Sequence, residues 1–136
     1  MIAKDLMKKD VLCVRESDRV EDLADVLVGE NLHGAPVVDA AGELVGVVTQ
    51  QDLFFSTMTR SGVTDGDGES APLTVREIMT APAVSVGEET TVEALCRIMF
   101  KLRIHRVPVV RHGRVRGIIS SLDVCAAVAR GELPVE

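Results

Sequence analysis

The sequence predicts a mixed α/β fold of the α+β kind, built from two copies of one small βαββα unit. Three observations carry this reading. The chain repeats itself at a nearly constant spacing, short β-branched runs alternate with stretches of helical periodicity, and glycine-containing turns join those runs in pairs.

The repeat is the strongest of the three. Asp5-Leu6-Met7 aligns with Glu77-Ile78-Met79, and the same 72-residue shift pairs Val14 with Val86, Val20 with Val92, Leu23 with Leu95, His33 with His105 and Pro36 with Pro108. After one deletion in a turn the shift becomes 71 residues, matching Gly46 with Gly117, Thr49 with Ser120 and Asp52 with Asp123. The two copies run over 1–58 and 74–130, separated by a linker at 59–73 and followed by a tail at 131–136.

Each element of the first copy has a local cause. Ala3 to Met7 forms one helical turn, and Val11 to Val14 a short extended piece. Ser17 or Asp18 is placed to cap a helix, whose Val20, Leu23, Ala24 and Leu27 recur at i, i+3, i+4 and i+7. Ala35 to Val38 and Leu44 to Thr49, joined by Asp39-Ala40-Ala41-Gly42, read as a hairpin, and a helix carrying Leu53, Phe54 and Met58 starts near Gln50.

The second copy repeats the plan. Thr90 or Glu89 precedes a helix with Val92, Leu95, Cys96, Met99 and Leu102 on one stripe and Glu93 four residues before Arg97. Val107 to Val110 and Val115 to Ile119 flank the turn Arg111-His112-Gly113, and Ser121 to Arg130 closes the unit as a helix stopped by Gly131 and Pro134. With ~60 residues and few aromatics, neither copy has the apolar area for an independent core, so each is expected to bury its faces against the other.

Composition excludes several function classes. Only 2% of the 136 residues are aromatic, with no Trp or Tyr, which removes the stacking platforms used on single-stranded nucleic acid. A net charge of -6 opposes general binding to phosphate backbones. No apolar run approaches the ~18 residues that span a bilayer, and the N-terminus lacks the apolar centre of a signal peptide, so no membrane association and a cytoplasmic location are expected. Cys13, Cys96 and Cys125 are widely spaced and set among apolar residues, as reduced thiols are. No zinc spacing occurs, and Asp65-Gly66-Asp67-Gly68-Glu69 in the linker lacks the ligand pattern of a calcium loop, so no metal site is expected. Phosphate loops and nucleophile elbows are also missing, which predicts a protein with no catalytic residues.

The chemistry concentrates in Gly46-Val47-Val48-Thr49-Gln50-Gln51-Asp52 and Gly117-Ile118-Ile119-Ser120-Ser121-Leu122-Asp123. Each ends a strand and opens a helix, where a hydroxyl beside unpaired N–H groups suits a phosphate oxygen. The Asp one turn later is placed to accept from the two neighbouring hydroxyls of a ribose. The same pattern also describes an ordinary helix cap. The duplication favours a site, because the same Gly and β-branched pair precede both copies.

The two halves resemble a tandem pair of CBS domains, or Bateman module, through HGAPVVD with GVVTQQD and HRVPVVR with GIISSLD. The resemblance implies two motifs packed about a pseudo-twofold axis, with two clefts that take AMP, ADP, ATP or another adenosyl compound such as S-adenosylmethionine as a regulatory ligand, and no required cofactor. It further implies energy sensing, a disc-like homodimer and an unknown regulated protein as partner. Residue by residue, site 1 would comprise Thr49, Asp52, His105, Arg106, Ala35 and Val11, and site 2 Ser120, Asp123, His33, Val107 and Ala83. His105-Arg106 match the family's phosphate-reaching pair, whereas His33-Gly34 match it by half.

Charge separates the copies further. Residues 101–122 hold Lys101, Arg103, Arg106, Arg111, Arg114 and Arg116 with no acid, while 29–51 hold Glu30, Asp39 and Glu43 with no Lys or Arg. Site 1 is therefore expected to bind phosphate better, with charge-assisted hydrogen bonds of ~1.5–3 kcal/mol favouring it. Arg114 and Arg116 alternate around Val115 as a solvated face would, and His33 and His105 fit equally as core histidines. The alternative functions are a ligand-free interaction scaffold and, less favoured by charge, a nucleic-acid binder.

Overall fold

The computed structural model describes residues 1–61 and 73–133. The element order is α1 (Ala3–Leu6), β1 (Val14–Arg15), α2 (Val20–Gly29), β2 (Gly34–Val38), β3 (Leu44–Thr49), α3 (Gln50–Ser61), α4 (Val75–Ile78), β4 (Val86–Gly87), α5 (Val92–Leu102), β5 (Arg106–Arg111), β6 (Arg114–Ser120) and α6 (Ser121–Ala129). The fold is mixed α/β with two three-stranded sheets, ordered β1-β2-β3 and β4-β5-β6. In each sheet the first pair is parallel and the second antiparallel, and the registers correspond: Val37 faces Gly46 as Val109 faces Gly117.

The expected elements form, with shifted boundaries. Neither Ser17 nor Asp18 caps α2. Its N-cap is Arg19, without a side-chain bond, and the Asp18 carboxylate instead accepts from the Arg15 N–H at 2.9 Å. The cap of α5 is Thr91, whose hydroxyl accepts from the Ala94 N–H at 3.1 Å, one residue beyond the expected Thr90. Helix α3 continues to Ser61, three residues into the stretch read as linker. The rest of that stretch from 62 to 72, with its Asp/Gly run, lies outside the described residues, as do 134–136 of the tail. Arg111 belongs to β5, so the second hairpin turns on two residues, His112 and Gly113, at φ 52 and 79. Positive φ at both positions is the geometry of a type I′ turn, which matches the right-handed twist of its strands.

The compact units are not the sequence halves. One unit contains Met1–Val11 with Val84–Glu136, and the other Leu12–Ala83. Each sequence half therefore gives its opening helical turn to the opposite unit. We call the units by their carboxylates, the Asp123 unit and the Asp52 unit.

In the Asp52 unit, Leu23 and Leu27 of α2 join Val37 and Val48 of the sheet in one cluster, together with Val75 of α4 at 0% exposure. In the Asp123 unit, Leu95 and Met99 of α5 join Val109 and Ile119, and Ala3 of α1 takes the place of Val75. A fully buried Val contributes ~1.5–3 kcal/mol relative to exposure, so Val75 anchors the α4 turn in its core, and the fully buried Ala3 does the same for α1 with a smaller side chain. The stripe on α5 ends before Leu102, which is 49% exposed.

Candidate functional site

The exchange of opening turns has a direct consequence at the strand ends. Past α4 the chain runs along the free edge of β3: the Thr80 N–H donates to the Val47 carbonyl at 2.9 Å, and the Val47 N–H donates to the Thr80 carbonyl at 3.0 Å. Past α1 it runs along β6, with Lys8 and Ile118 exchanging bonds of 2.9 and 3.0 Å. This contact explains the repeated glycines. A Cβ on Gly46 would lie 2.8 Å from the Thr80 carbonyl oxygen, and one on Gly117 would lie 2.8 Å from that of Lys8. Only glycine lets the crossing segment come so close to the strand.

Three residues beyond each of these pairings the strand becomes a helix. In the Asp52 unit the Asp52 Oδ2 accepts from the Thr49 N–H at 2.9 Å and the Thr49 hydroxyl at 3.1 Å. The Thr49 Oγ1 also lies 3.2 Å from the Asp52 N–H. In the Asp123 unit the Asp123 Oδ2 accepts from the Ser120 N–H at 2.8 Å, and the Ser120 Oγ accepts from the Asp123 N–H at 3.1 Å. Both hydroxyl–Asp pairs are thus reciprocal capping boxes. Each cap uses one carboxylate oxygen of its Asp. The Oδ1 of Asp52 has no hydrogen-bond or ion-pair partner among the described residues, whereas the Oδ1 of Asp123 lies 3.7 Å from the Lys8 ammonium.

The remaining predicted residues divide between the units. Thr49, Asp52, Ala35, His33 and Ala83 belong to the Asp52 unit, while Ser120, Asp123, Val107, His105, Arg106 and Val11 belong to the Asp123 unit. Of the two wall segments, Ala83 falls in the unit of Asp52, and Val11 in the unit that also holds His105 and Arg106. Ala35 and Val107 are buried at matching positions of β2 and β5, at 4% and 0% exposure.

Neither His33 nor His105 is a core histidine. Both rings are exposed, and what holds each residue is its carbonyl, which accepts from the N–H of Gln50 or Ser121 at 2.8 Å. Arg106 is exposed and pairs in register with Ser120. Gly34 pairs in the same way with Thr49, but a Cβ on it would sit 2.7 Å from the Val48 carbonyl oxygen. Among the other arginines, Arg111 lies 3.8 Å from Glu88, and Arg114 and Arg116 are exposed.

Lys8 was missed because it resembles a solvated surface lysine. The signal available in the sequence was its alignment with Thr80, one residue past the repeated Met. Other chemistry is sparse. Burial pushes the Cys13 thiol above its ordinary value, and burial followed by the neighbouring Cys125 does the same to Cys96. Among the described residues there is no cluster of metal-ligating side chains and no helix long and apolar enough to cross a membrane.

Known proteins resemble this chain in sequence and in fold. The family model for the CBS domain matches twice, at 3–57 and 75–130. The chain is 32% identical over 122 residues to protein YlbB of Bacillus subtilis (strain 168), covering 89% of this chain and 78% of that one. It is 30% identical over 123 residues to the inosine-5'-monophosphate dehydrogenase of Korarchaeum cryptofilum (strain OPF8), covering 90% of this chain and 23% of the enzyme. The chain spans between 22% and 31% of the length of the first three curated relatives it matches. Among solved structures, the CBS domain pair of protein MJ0100 in complex with 5'-methylthioadenosine and S-adenosyl-L-methionine superposes with a TM-score of 0.79 at 27% identity, covering 94% of this chain and 99% of that one. CBSX2 in complex with AMP gives 0.79 at 26% identity, covering 97% and 98%. With two matched copies across most of its length, this chain belongs to the CBS-domain family.

Proposed function

We propose that the protein is a non-catalytic sensor that binds an adenosine-containing molecule and signals its presence to a partner protein. The observation that carries this reading is the duplicated hydroxyl–Asp pair, in which the helix cap uses one carboxylate oxygen and does not use the other. A ribose diol offers two donors to such an oxygen, and the helix N-terminus beside it favours an anion. The AMP, S-adenosyl-L-methionine and 5'-methylthioadenosine named for similar CBS pairs support the ligand class. In this reading Asp52 and Asp123 hold ribose hydroxyls, Thr49 and Ser120 contact phosphate, Ala35 and Val107 lie beside the adenine, and His105 and Arg106 reach phosphate.

A homodimer is part of the proposal. Large apolar side chains are exposed on the helices of both units, including Val28 and Phe54 in one and Phe100 and Leu122 in the other, at 82%, 61%, 88% and 74%. Apolar surface of this kind favours an interaction face. Light scattering at several protein concentrations checks it, with a monomer throughout counting against it.

Calorimetry with AMP, ADP, ATP and S-adenosylmethionine tests the ligand class. Asp52→Asn and Asp123→Asn each retain a capping oxygen but lose the charge, and each should remove one binding event. Heat signals unchanged in both variants would overturn the site, and silence with all four ligands would overturn the ligand class. A ligand-free scaffold is the second reading, favoured by the capping boxes, which already explain both Asp residues, and by the crowding that keeps a side chain off Gly34.

A further inference from the structure

The two carboxylates differ in a neighbour that carries charge. Lys8 and Thr80 occupy the same place in their units, each held by two backbone bonds to the strand that leads into the capping box. The Lys8 ammonium lies 3.7 Å from the Asp123 Oδ1, the oxygen that the cap leaves over. Thr80 brings no charge to Asp52. The Asp123 side chain is 15% exposed and that of Lys8 73% exposed, so the carboxylate is largely enclosed while the lysine side chain lies mostly in water.

We infer that Lys8 is a specificity-determining residue that makes the Asp123 set select ligands carrying an anionic group. The inference rests on the nucleoside reading proposed above. A ribose diol that engages the Asp123 Oδ1 competes with the ammonium for the same oxygen. A neutral nucleoside breaks that ion pair and gives Lys8 nothing in return. A nucleoside phosphate returns a negative charge to the displaced ammonium, so the two exchanges differ by one charge contact. Because Lys8 is mostly exposed, that difference is modest. It is worth about five-fold in affinity, the upper range for an exposed ion pair. At Asp52 the competition does not arise, and that set should admit neutral and anionic ligands alike as far as its own unit decides.

The test is calorimetric titration of the full chain with AMP and, separately, with adenosine. The binding event belonging to Asp123 is identified as the one lost in Asp123→Asn. In the unaltered protein this event should prefer AMP over adenosine. Lys8→Thr, which copies the other unit, should reduce the preference by about five-fold, chiefly through better adenosine binding, and Lys8→Arg should preserve it. An AMP-to-adenosine ratio at this event that is the same with Thr as with Lys overturns the inference while leaving the binding site in place. Loss of no event in Asp123→Asn, or no binding of either ligand, overturns the nucleoside reading itself. Lys8 is exposed and its backbone makes the sheet contacts, so a far-UV melting curve close to that of the unaltered protein should accompany Lys8→Thr.

Discussion

The Asp52 and Asp123 units are built to one plan, and the places where they part show which features the plan requires. Both have a glycine under the crossing segment, a fully buried aliphatic anchor on the exchanged turn, and a reciprocal cap at the strand-to-helix junction. These are conditions of folding. The units differ at Gly34 against Arg106, at Thr80 against Lys8, and at Asn31 against Arg103, where charge or backbone preference changes while the fold does not. Differences that the fold tolerates are where ligand selectivity can reside.

Making the units alike at Gly34 should have the largest effect. Gly34→Arg puts a Cβ 2.7 Å from a strand carbonyl that has nowhere to move, and should cost about 3 kcal/mol in urea unfolding. The reverse change, Arg106→Gly, should cost under ~1 kcal/mol because the side chain is exposed. Similar losses from both changes would show that the two strand entrances are equivalent after all.

Next in size, Gly117→Ala and Gly46→Ala should each cost about 2 kcal/mol, since a crossing backbone must retreat from the new methyl group. Asp123→Ala and Asp52→Ala should each cost about 1 kcal/mol through loss of a helix cap. The Asp123 change should be the greater, because that carboxylate also pairs with Lys8.

The αL residues after α2 and α5 offer a gain. Asn31 and Arg103 sit at φ 52 and 55, a conformation that Asn adopts far more readily than Arg. Arg103→Asn should therefore raise stability by about 0.5 kcal/mol, and a loss of stability would mean that the Arg103 side chain contributes something its exposure does not reveal.

The smallest effect is one of rate. Burial raises the Cys13 thiol, so at pH 8 less of it is thiolate, and iodoacetamide should label exposed Cys125 before Cys13. Raising the pH should narrow that gap, and first labelling of Cys13 would contradict its burial.

Much of the fold was legible because its signals are local. Leu23 and Leu27 recur at helical spacing and are buried, Pro36-Val37 and Pro108-Val109 read as strands and lie in the sheets, and the Glu93–Arg97 pair forms at 2.6 Å. The caps of α2 and α5 were misplaced by a residue or more, because Ser, Thr and Asp cluster at those starts and the sequence cannot choose among adjacent hydroxyls and carboxylates. Asp18 bonds to Arg15 instead, a choice made by the backbone turn before the helix.

The sequence alone determined the duplication, the order of elements, and the placing of Thr49–Asp52 and Ser120–Asp123 at helix starts, since periodicity and repeat spacing act over a few residues. Only the tertiary structure decided that each opening turn serves the opposite unit, that Gly46 and Gly117 exist for the backbone crossing them, and that Lys8 stands at Asp123. The physical reason is one of range. Burial of Ala3 beside Leu95 or of Val75 beside Leu23 joins residues far apart in the chain, and no local pattern records which distant surface a turn will cover.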